Sequence, residues 1–438
     1  MAFDRTALLE RTDLHGSAFT QAYTELLDQW IIEIAGRAEF PPGVALAAVG
    51  GYGRGEMSPE SDIDIILIHP DGIDPGDLAE HLWYPIWDAG LKLGHRVDTQ
   101  EGLLKIARTD LDTATALLAI RHLAGDESVS LDLAVAAAQQ WRADAVENAM
   151  RIAAGRSVRH DAHGEVAFEL GPDLKNGRGG LRDIHSLDWA VSSGVMNDDA
   201  LTSLIDAREV LLRARVELHR TTGRAGDRLV LEYQDEVAEA LGYGDADALM
   251  ADVASAARTI AWSVDASWFW VEWSMEPRRR ASDLEQIGDH IRIDGGLLTL
   301  ADSAADVDDA MLIFEVAHAA ASRHCFIENS ALDLLTDLID KIPSPWTPEM
   351  RTLFTDTLGL GRSAIPVIEA YDQVGLMTAL IPQWEPSRSK PQRNAYHRFT
   401  VDRHLLEAAA EASVLADKVD RPDLLVLGAL LHLSLIHI

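Results

Sequence analysis

Apolar and polar positions change rhythm several times along the first hundred residues, and each change marks an element. Residues 18–38 carry apolar side chains at helical spacing with small and polar ones between, which predicts an entry helix. Pro41-Pro42-Gly43 stops it. Val44 to Val49 is a short apolar run that reads as a strand delivering the chain into Gly50-Gly51-Tyr52-Gly53-Arg54-Gly55. Asp62-Ile63-Asp64-Ile65-Ile66-Leu67-Ile68 alternates and then turns wholly apolar, so Asp62 and Asp64 share one face of a mostly buried strand. A helix follows over Asp77 to Leu91, with Leu82, Trp83, Ile86 and Trp87 as its core stripe, and then a strand-like stretch from Lys92 to Thr99.

The remainder reads as helical. Thr109 to about Met150 is rich in alanine at helical spacing, and 200–275 continues in the same way. Asp302–Asp340 and Met350–Leu380 are further helices, separated by a turn at Pro343, Pro345 and Pro348. These elements make an α+β chain: a small mixed sheet with flanking helices near the N-terminus, then mostly α-helical domains. The expected division is an N-terminal helical segment (1–40), a sheet-bearing domain (41–155), a helical associated domain (156–280), a helical connecting region (281–390) and a last segment (391–432). The terminal Leu433–Ile438 reads as translated sequencing adapter rather than protein.

Composition narrows the function classes. Of 438 residues, 38 are Lys or Arg and 71 are Asp or Glu, for a net charge of −33. Such a surface repels nucleic acid in the absence of a long basic tract. A triphosphate carried by a metal, or a protein partner, remains compatible. The single cysteine, Cys325, excludes an internal disulfide and a cysteine-rich zinc site, and reads as a small buried side chain. The N-terminus lacks the order of a signal peptide, and the apolar run from Leu424 is too short for a membrane span, which points to a cytoplasmic protein.

The chemistry concentrates in two strings. In a chain this acidic, about eleven acid-x-acid pairs are expected by chance, so Asp62 and Asp64 gain weight from context: an apolar strand shortly after a strand and a double glycine. Four glycines in six positions let the backbone approach an anion closely, and two adjacent carboxylates need a cation. Hard oxygen ligands beside phosphate suit Mg²⁺. The second string runs from Glu169 to Trp189. There Lys175, Arg178 and Arg182 stand beside Gly177, Gly179 and Gly180 at the start of an amphipathic helix, a setting that favours anions. Asp183 and His185 are either supports of that site or purely structural. Arg215, His219, Arg220, Arg224, Asp227 and Arg228 read mainly as a solvated helix face, His95 as a turn cap in preference to a group that polarises a phosphate, and Glu276–Arg280 as a solvated linker.

The string GGYGRGEMSPESDIDIILI resembles the signature of the polymerase-β-like nucleotidyltransferase superfamily. Within it, the string is similar to the transferase domain of the bifunctional uridylyltransferase/uridylyl-removing enzymes that modify the PII nitrogen-signalling protein. The segment ending Gly179-Gly180-Leu181-Arg182-Asp183-Ile184-His185 resembles the same family. The resemblance implies that Gly50, Gly51, Arg54 and Ser61, with Lys175, Arg178 and Arg182, hold UTP or ATP. It also implies that Asp62 and Asp64 bind Mg²⁺ and that a third carboxylate comes from a later strand, where Asp98 is the acid in a suitable setting. The implied reaction moves UMP or AMP to a tyrosine of PII and releases pyrophosphate. Tyr396 to His404 resembles the entry to the family's HD-type hydrolase domain, and Leu430-Leu431-His432 a later part of it. His404 and His432 would be residual ligands there, with Leu433 where the family has aspartate, so removal activity is expected to be lost. Two alternatives share the first string: a nucleotidyltransferase with another substrate, and a non-catalytic regulatory module.

Overall fold

The structure is a computed structural model, described here for residues 3–275, 284–392 and 399–432; the stretches 276–280, 396–398 and 433–438 singled out in the sequence lie outside the described residues. It divides into two units, one of residues 1–166 and 171–267, the other of 167–170 and 268–438.

The first unit is built on a four-stranded sheet of β1 (Ala45–Ala48), β2 (Ile63–Ile68), β3 (Leu93–Asp98) and β4 (Arg121–Gly125), in the order β3-β2-β1-β4. β1 runs antiparallel to both β2 and β4, while β3 runs parallel to β2. Helix α1 (Gly16–Ala35) and helix α2 (Gly76–Asp88) cover one face. Phe19, Tyr23, Leu27, Ile31 and Ile34 on α1 recur every three or four residues, and all are buried with Ile63, Ile65 and Leu67 of β2 in one core. The odd-numbered residues of β2 therefore face the core, and Asp62, Asp64 and Ile66 face the other way.

β4 lies inside the stretch whose alanines predicted helix. Pairing with β1, through Ala48–Arg121 and Ala45–Gly125, overrides the local pattern. The chain continues with α3 (Glu127–Ala143), which packs on β4, then α4 (Ala145–His163), α5 (Leu181–Ser193), α6 (Ile205–Thr222) and α7 (Ala246–Met275). Two glycines are fixed by geometry here. Gly50 has φ +59°, and a Cβ on Gly53 would overlap the Ala119 carbonyl oxygen.

The second unit contains a sheet of β5 (Glu285–Ile287), β6 (Ile291–Asp294), β7 (Leu297–Leu300) and β8 (Phe326–Ile327), in that order. The expectation of a purely helical region over 281–390 is corrected by these strands. Ile291-Arg292-Ile293-Asp294-Gly295-Gly296 alternates and then turns, a hairpin signal inside a helix-rich background. Helices Met311–Arg323, Pro348–Gly359 and Ala364–Gln373 pack on one another, and the buried Tyr371 hydroxyl donates to the Ile313 carbonyl at 2.6 Å. Cys325 is half-buried rather than fully buried. Among the described residues, no helix is long and apolar enough to cross a membrane.

Candidate active site

The polar face of β2 opens into a cavity of about 520 Å³ within the first unit. Strand pairing places Asp64 beside Gly94 of β3, and the Val49 amide donates to the Asp64 carbonyl at 3.0 Å, tying the end of β1 to the same point. The Asp64 carboxylate is clasped by two glycines: a Cβ on Gly94 would overlap Oδ1, and one on Gly50 would stand 3.4 Å from Oδ2. Burial, reinforced by the negative charge of Asp62, pushes the Asp64 carboxyl up to about 6. Asp62 is exposed, with the Lys92 ammonium 4.0 Å away. Gly50, Gly51, Arg54 and Ser61 line the same cavity, and the Ser61 hydroxyl accepts from the Ser58 amide at 3.1 Å, fixing the turn that precedes Asp62.

The basic string reaches this cavity by folding on itself. Asp173 accepts from the amides of Lys175 and Asn176, at 3.2 and 2.8 Å, and the Arg182 amide donates to the Lys175 carbonyl at 2.9 Å. That brings Lys175 and Arg182 together on the cavity wall. Burial lowers both from their ordinary values, and neighbouring guanidinium groups, Arg215 for Lys175 and Arg54 for Arg182, act in the same direction. Arg182 also lies 5.4 Å from the centroid of the Trp189 ring. Two crowded, partly desolvated cations facing a cavity make a receptor for a polyanion.

Two sequence expectations fail on geometry. Arg178 is not on the cavity wall: it bonds Glu165 at 2.6 Å and Asp265 at 2.7 Å and clamps the loop to α7. Asp98 lies on the correct face of β3 but opposite Ile68, four residues beyond Gly94, or roughly 13 Å along the strand. Its carboxylate accepts from the Thr99 amide at 2.8 Å and rests on Gly102, so it does not join Asp62 and Asp64. The start of α5 differs as well. Buried Asp183 accepts from the Gly179 amide at 2.8 Å, is ion-paired with Arg159 and is hydrogen-bonded to His160 at 2.9 Å, so the helix start is satisfied from within.

Other cavity residues were not legible as such. Glu56 pairs with Arg54 at 2.9 Å, Arg208 at 2.5 Å and His185 at 2.9 Å. The hydrogen bond from His185 and the charges of Arg54 and Arg208 overcome the effect of burial and hold its carboxyl well below the usual range. Burial pushes His185 down to about 4, against the pull of Glu56, so its imidazole is neutral at pH 7 and Nε2–H donates to Glu56. Asp112 also lines the wall. Arg215, His219 and Asp227, read as a solvated face, form a buried cluster instead: Asp227 Oδ1 accepts from Arg215 Nε at 2.6 Å and lies 3.1 Å from His219 Nε2. Arg215 in turn donates to the Ser58 hydroxyl at 2.7 Å. His95 packs against Trp83 and Trp87, with ring centroids 5.4 and 5.6 Å away.

Asp62 and Asp64 fit a magnesium ion by their chemistry. They are hard oxygen donors, adjacent on one face, and their mutual repulsion is relieved by a cation; Mg²⁺ commonly takes one or two carboxylates together with substrate phosphates. In the second unit, His404 and His432 face each other edge-on at 5.4 Å between ring centroids. Among the described residues, no group of three or more His, Cys, Asp or Glu side chains is arranged to hold a metal.

Residues 149–265 match the family model for GlnD PII-uridylyltransferase, and residues 31–112 match that of the nucleotidyltransferase domain. The chain is 40% identical to a bifunctional uridylyltransferase/uridylyl-removing enzyme of Streptomyces coelicolor, over 98% of this chain and 53% of the relative. It is 37% identical to the enzyme of that name from Mycobacterium tuberculosis, over 94% and 53%. Against the one from Corynebacterium glutamicum the figures are 32%, 92% and 58%. The chain thus spans about half the length of the curated relatives it matches.

Proposed function

From the premise that this chain belongs to the family of bifunctional uridylyltransferase/uridylyl-removing enzymes, with a nucleotidyltransferase domain in its first unit, we propose that it transfers UMP from UTP to a tyrosine of PII. The observation that carries this reading is the pairing of Asp62 and Asp64 on one wall of the cavity with Lys175 and Arg182 on another. Asp62 and Asp64 would hold Mg²⁺, which when bound supplies charge neutralisation for the triphosphate. Lys175, Arg182 and Arg54 would bind the β- and γ-phosphates, and the glycine turn at Gly50-Gly51 would let them approach the backbone. The tyrosine oxygen attacks the α-phosphorus in line, its proton passes to water, and the bond to the bridging oxygen breaks to release pyrophosphate. The name shared by the relatives supports UTP over ATP. Modification of PII would place the enzyme in the cytoplasm. Neither Asp98 nor Arg178 has a part in the proposal, and neither does hydrolytic removal.

The test is incubation of the protein with PII, Mg²⁺ and α-labelled UTP or ATP, beside Asp62→Asn. Label on PII from UTP that disappears in the variant is the expected result. Label that persists in Asp62→Asn would sink the metal assignment, and label from ATP alone would reverse the choice of donor. Label appearing on no acceptor would overturn the transfer reading itself.

A further inference from the structure

β3 is an edge strand, and the edge runs along the mouth of the cavity: Gly94, His95 and Arg96 are on the cavity wall. The direction of its backbone groups follows from two bonds. Ile63 donates to the Lys92 carbonyl at 2.9 Å and His69 to the Asp98 carbonyl at 3.2 Å. In a parallel pair, both backbone groups of a residue point to the same side and alternate along the strand. Even-numbered residues of β3 therefore bond to β2, while Leu93, His95 and Val97 turn their N–H and C=O groups outward. Among the described residues, no backbone or side-chain group bonds to those outward positions.

An open edge of this kind is a template for another strand. Its surroundings are specific. Val97 is exposed, as are Tyr84 and Trp87 on α2, which pack edge to face at 5.7 Å, with Trp87 against His95 on the core side of the strand. Lys92 and Arg96 place two cations on the rim of a chain whose net charge is −33. A strand added here would lie two strand spacings, about 10 Å, from β2. Gly94 stands between that position and Asp64 and has no side chain to bar the way.

We propose that the outer edge of β3 binds an extended, tyrosine-bearing segment of the protein acceptor by strand addition, with the tyrosine leaning over Gly94 towards Asp62 and Asp64. The backbone bonds to Leu93, His95 and Val97 supply register, the Tyr84–Trp87 pair seats an apolar side chain, and Lys92 and Arg96 favour a segment without basic residues. The proposal rests on the reading that the acceptor is a protein tyrosine, and it names the surface that presents it.

Val97→Pro tests it cleanly, because proline removes an outward N–H and leaves the bonds to β2 intact. Val97→Thr keeps the N–H and is the control. With purified PII as acceptor, Val97→Pro is expected to raise the acceptor KM tenfold or more while UTP affinity, measured by calorimetry with Mg²⁺, stays within twofold; Val97→Thr should behave as wild type. Hydrogen exchange read without turnover provides the second measurement: PII should protect the amides of His95 and Val97. A normal acceptor KM in Val97→Pro overturns strand addition, as does the absence of protection. Protection already present without PII and growing with protein concentration overturns it in favour of a second copy of this chain. If wild type protects the edge on adding PII but labels nothing, the transfer reading fails while the docking surface stands.

Discussion

The Asp64 carboxylate lies flush against Gly94 on the neighbouring strand, so close that a Cβ at that position would overlap Oδ1. The contact ties the position of a charged group to the lack of a side chain one strand away. Gly94→Ala is expected to push Asp64 aside without disturbing the core, which lies on the other face of β2. A displacement near 1 Å at a reacting centre costs on the order of 100-fold in rate. Transfer to PII should therefore fall by about that factor, with circular dichroism and melting temperature close to wild type. Wild-type turnover in Gly94→Ala would show that Asp64 tolerates movement and has no metal to hold.

Asp64 also carries a pH signature. Its folded carboxyl is raised to about 6 by burial and by Asp62, above the ordinary value of 3.8. The associated stability is fully present below about pH 4 and is lost as pH rises through 6, a change of about 3 kcal/mol for a shift of this size. Asp62→Asn removes the repulsion. In metal-free buffer at pH 7.5 its melting temperature is expected to rise by roughly 1–3 °C while transfer activity disappears. Magnesium should stabilise wild type more than the variant, as read by differential scanning fluorimetry. Destabilised Asp62→Asn would mean that the pair is held by something other than a cation.

Arg178 and Lys175 stand three residues apart in a string where both looked like phosphate ligands, yet they have opposite surroundings. Arg178 is engaged by Glu165 and Asp265, whereas Lys175 has Asp227 only at 3.9 Å and faces the cavity. Lys175→Gln should raise the KM for UTP at least tenfold. Arg178→Gln should leave that KM within twofold and lower unfolding stability by about 1–3 kcal/mol, since Glu165 and Asp265 each lose a charge-assisted bond while Asp265 keeps Arg156. Steady-state kinetics and thermal denaturation of the two variants separate the roles.

The difference between those two residues shows where sequence reading stopped. Alternation on β2 was legible because one face of that strand is core, and the strand order of apolar and acidic residues states it directly. The choice between Lys175 and Arg178 was not, because it depends on Asp265, which approaches from a distant helix. Arg215 and His219 looked solvated because helical spacing shows which residues share a face but not what covers it; here the covering groups are Ser58, Glu60 and Asp227. Asp98 was on the correct face and failed only on distance along the strand. β4 was missed since its pairing with β1 outweighs an alanine-rich context.

Asp227 joins the two informative strings of the sequence, which makes it the position where stability and activity should fall together. Its Oδ1 binds Arg215 Nε at 2.6 Å and lies 3.1 Å from His219; Arg215 holds the Ser58 hydroxyl, and the Ser58 amide is bonded to Ser61, next to Asp62. These partners, led by His219 and Arg215, overcome the effect of burial and hold its carboxyl far below the usual range. A depressed carboxylate contributes stability that is present above about pH 4 and lost as pH falls further. Asp227→Ala leaves a buried guanidinium without its partner and should cost about 3–5 kcal/mol. Asp227→Asn keeps hydrogen-bonding capacity and should cost less, while its kcat drops about tenfold as Ser58, Ser61 and Lys175 lose their common anchor. The stability gap between wild type and Asp227→Asn should hold from pH 5 to 8 and narrow below pH 4. A gap that persists unchanged at pH 3 would assign the cost to packing rather than to charge.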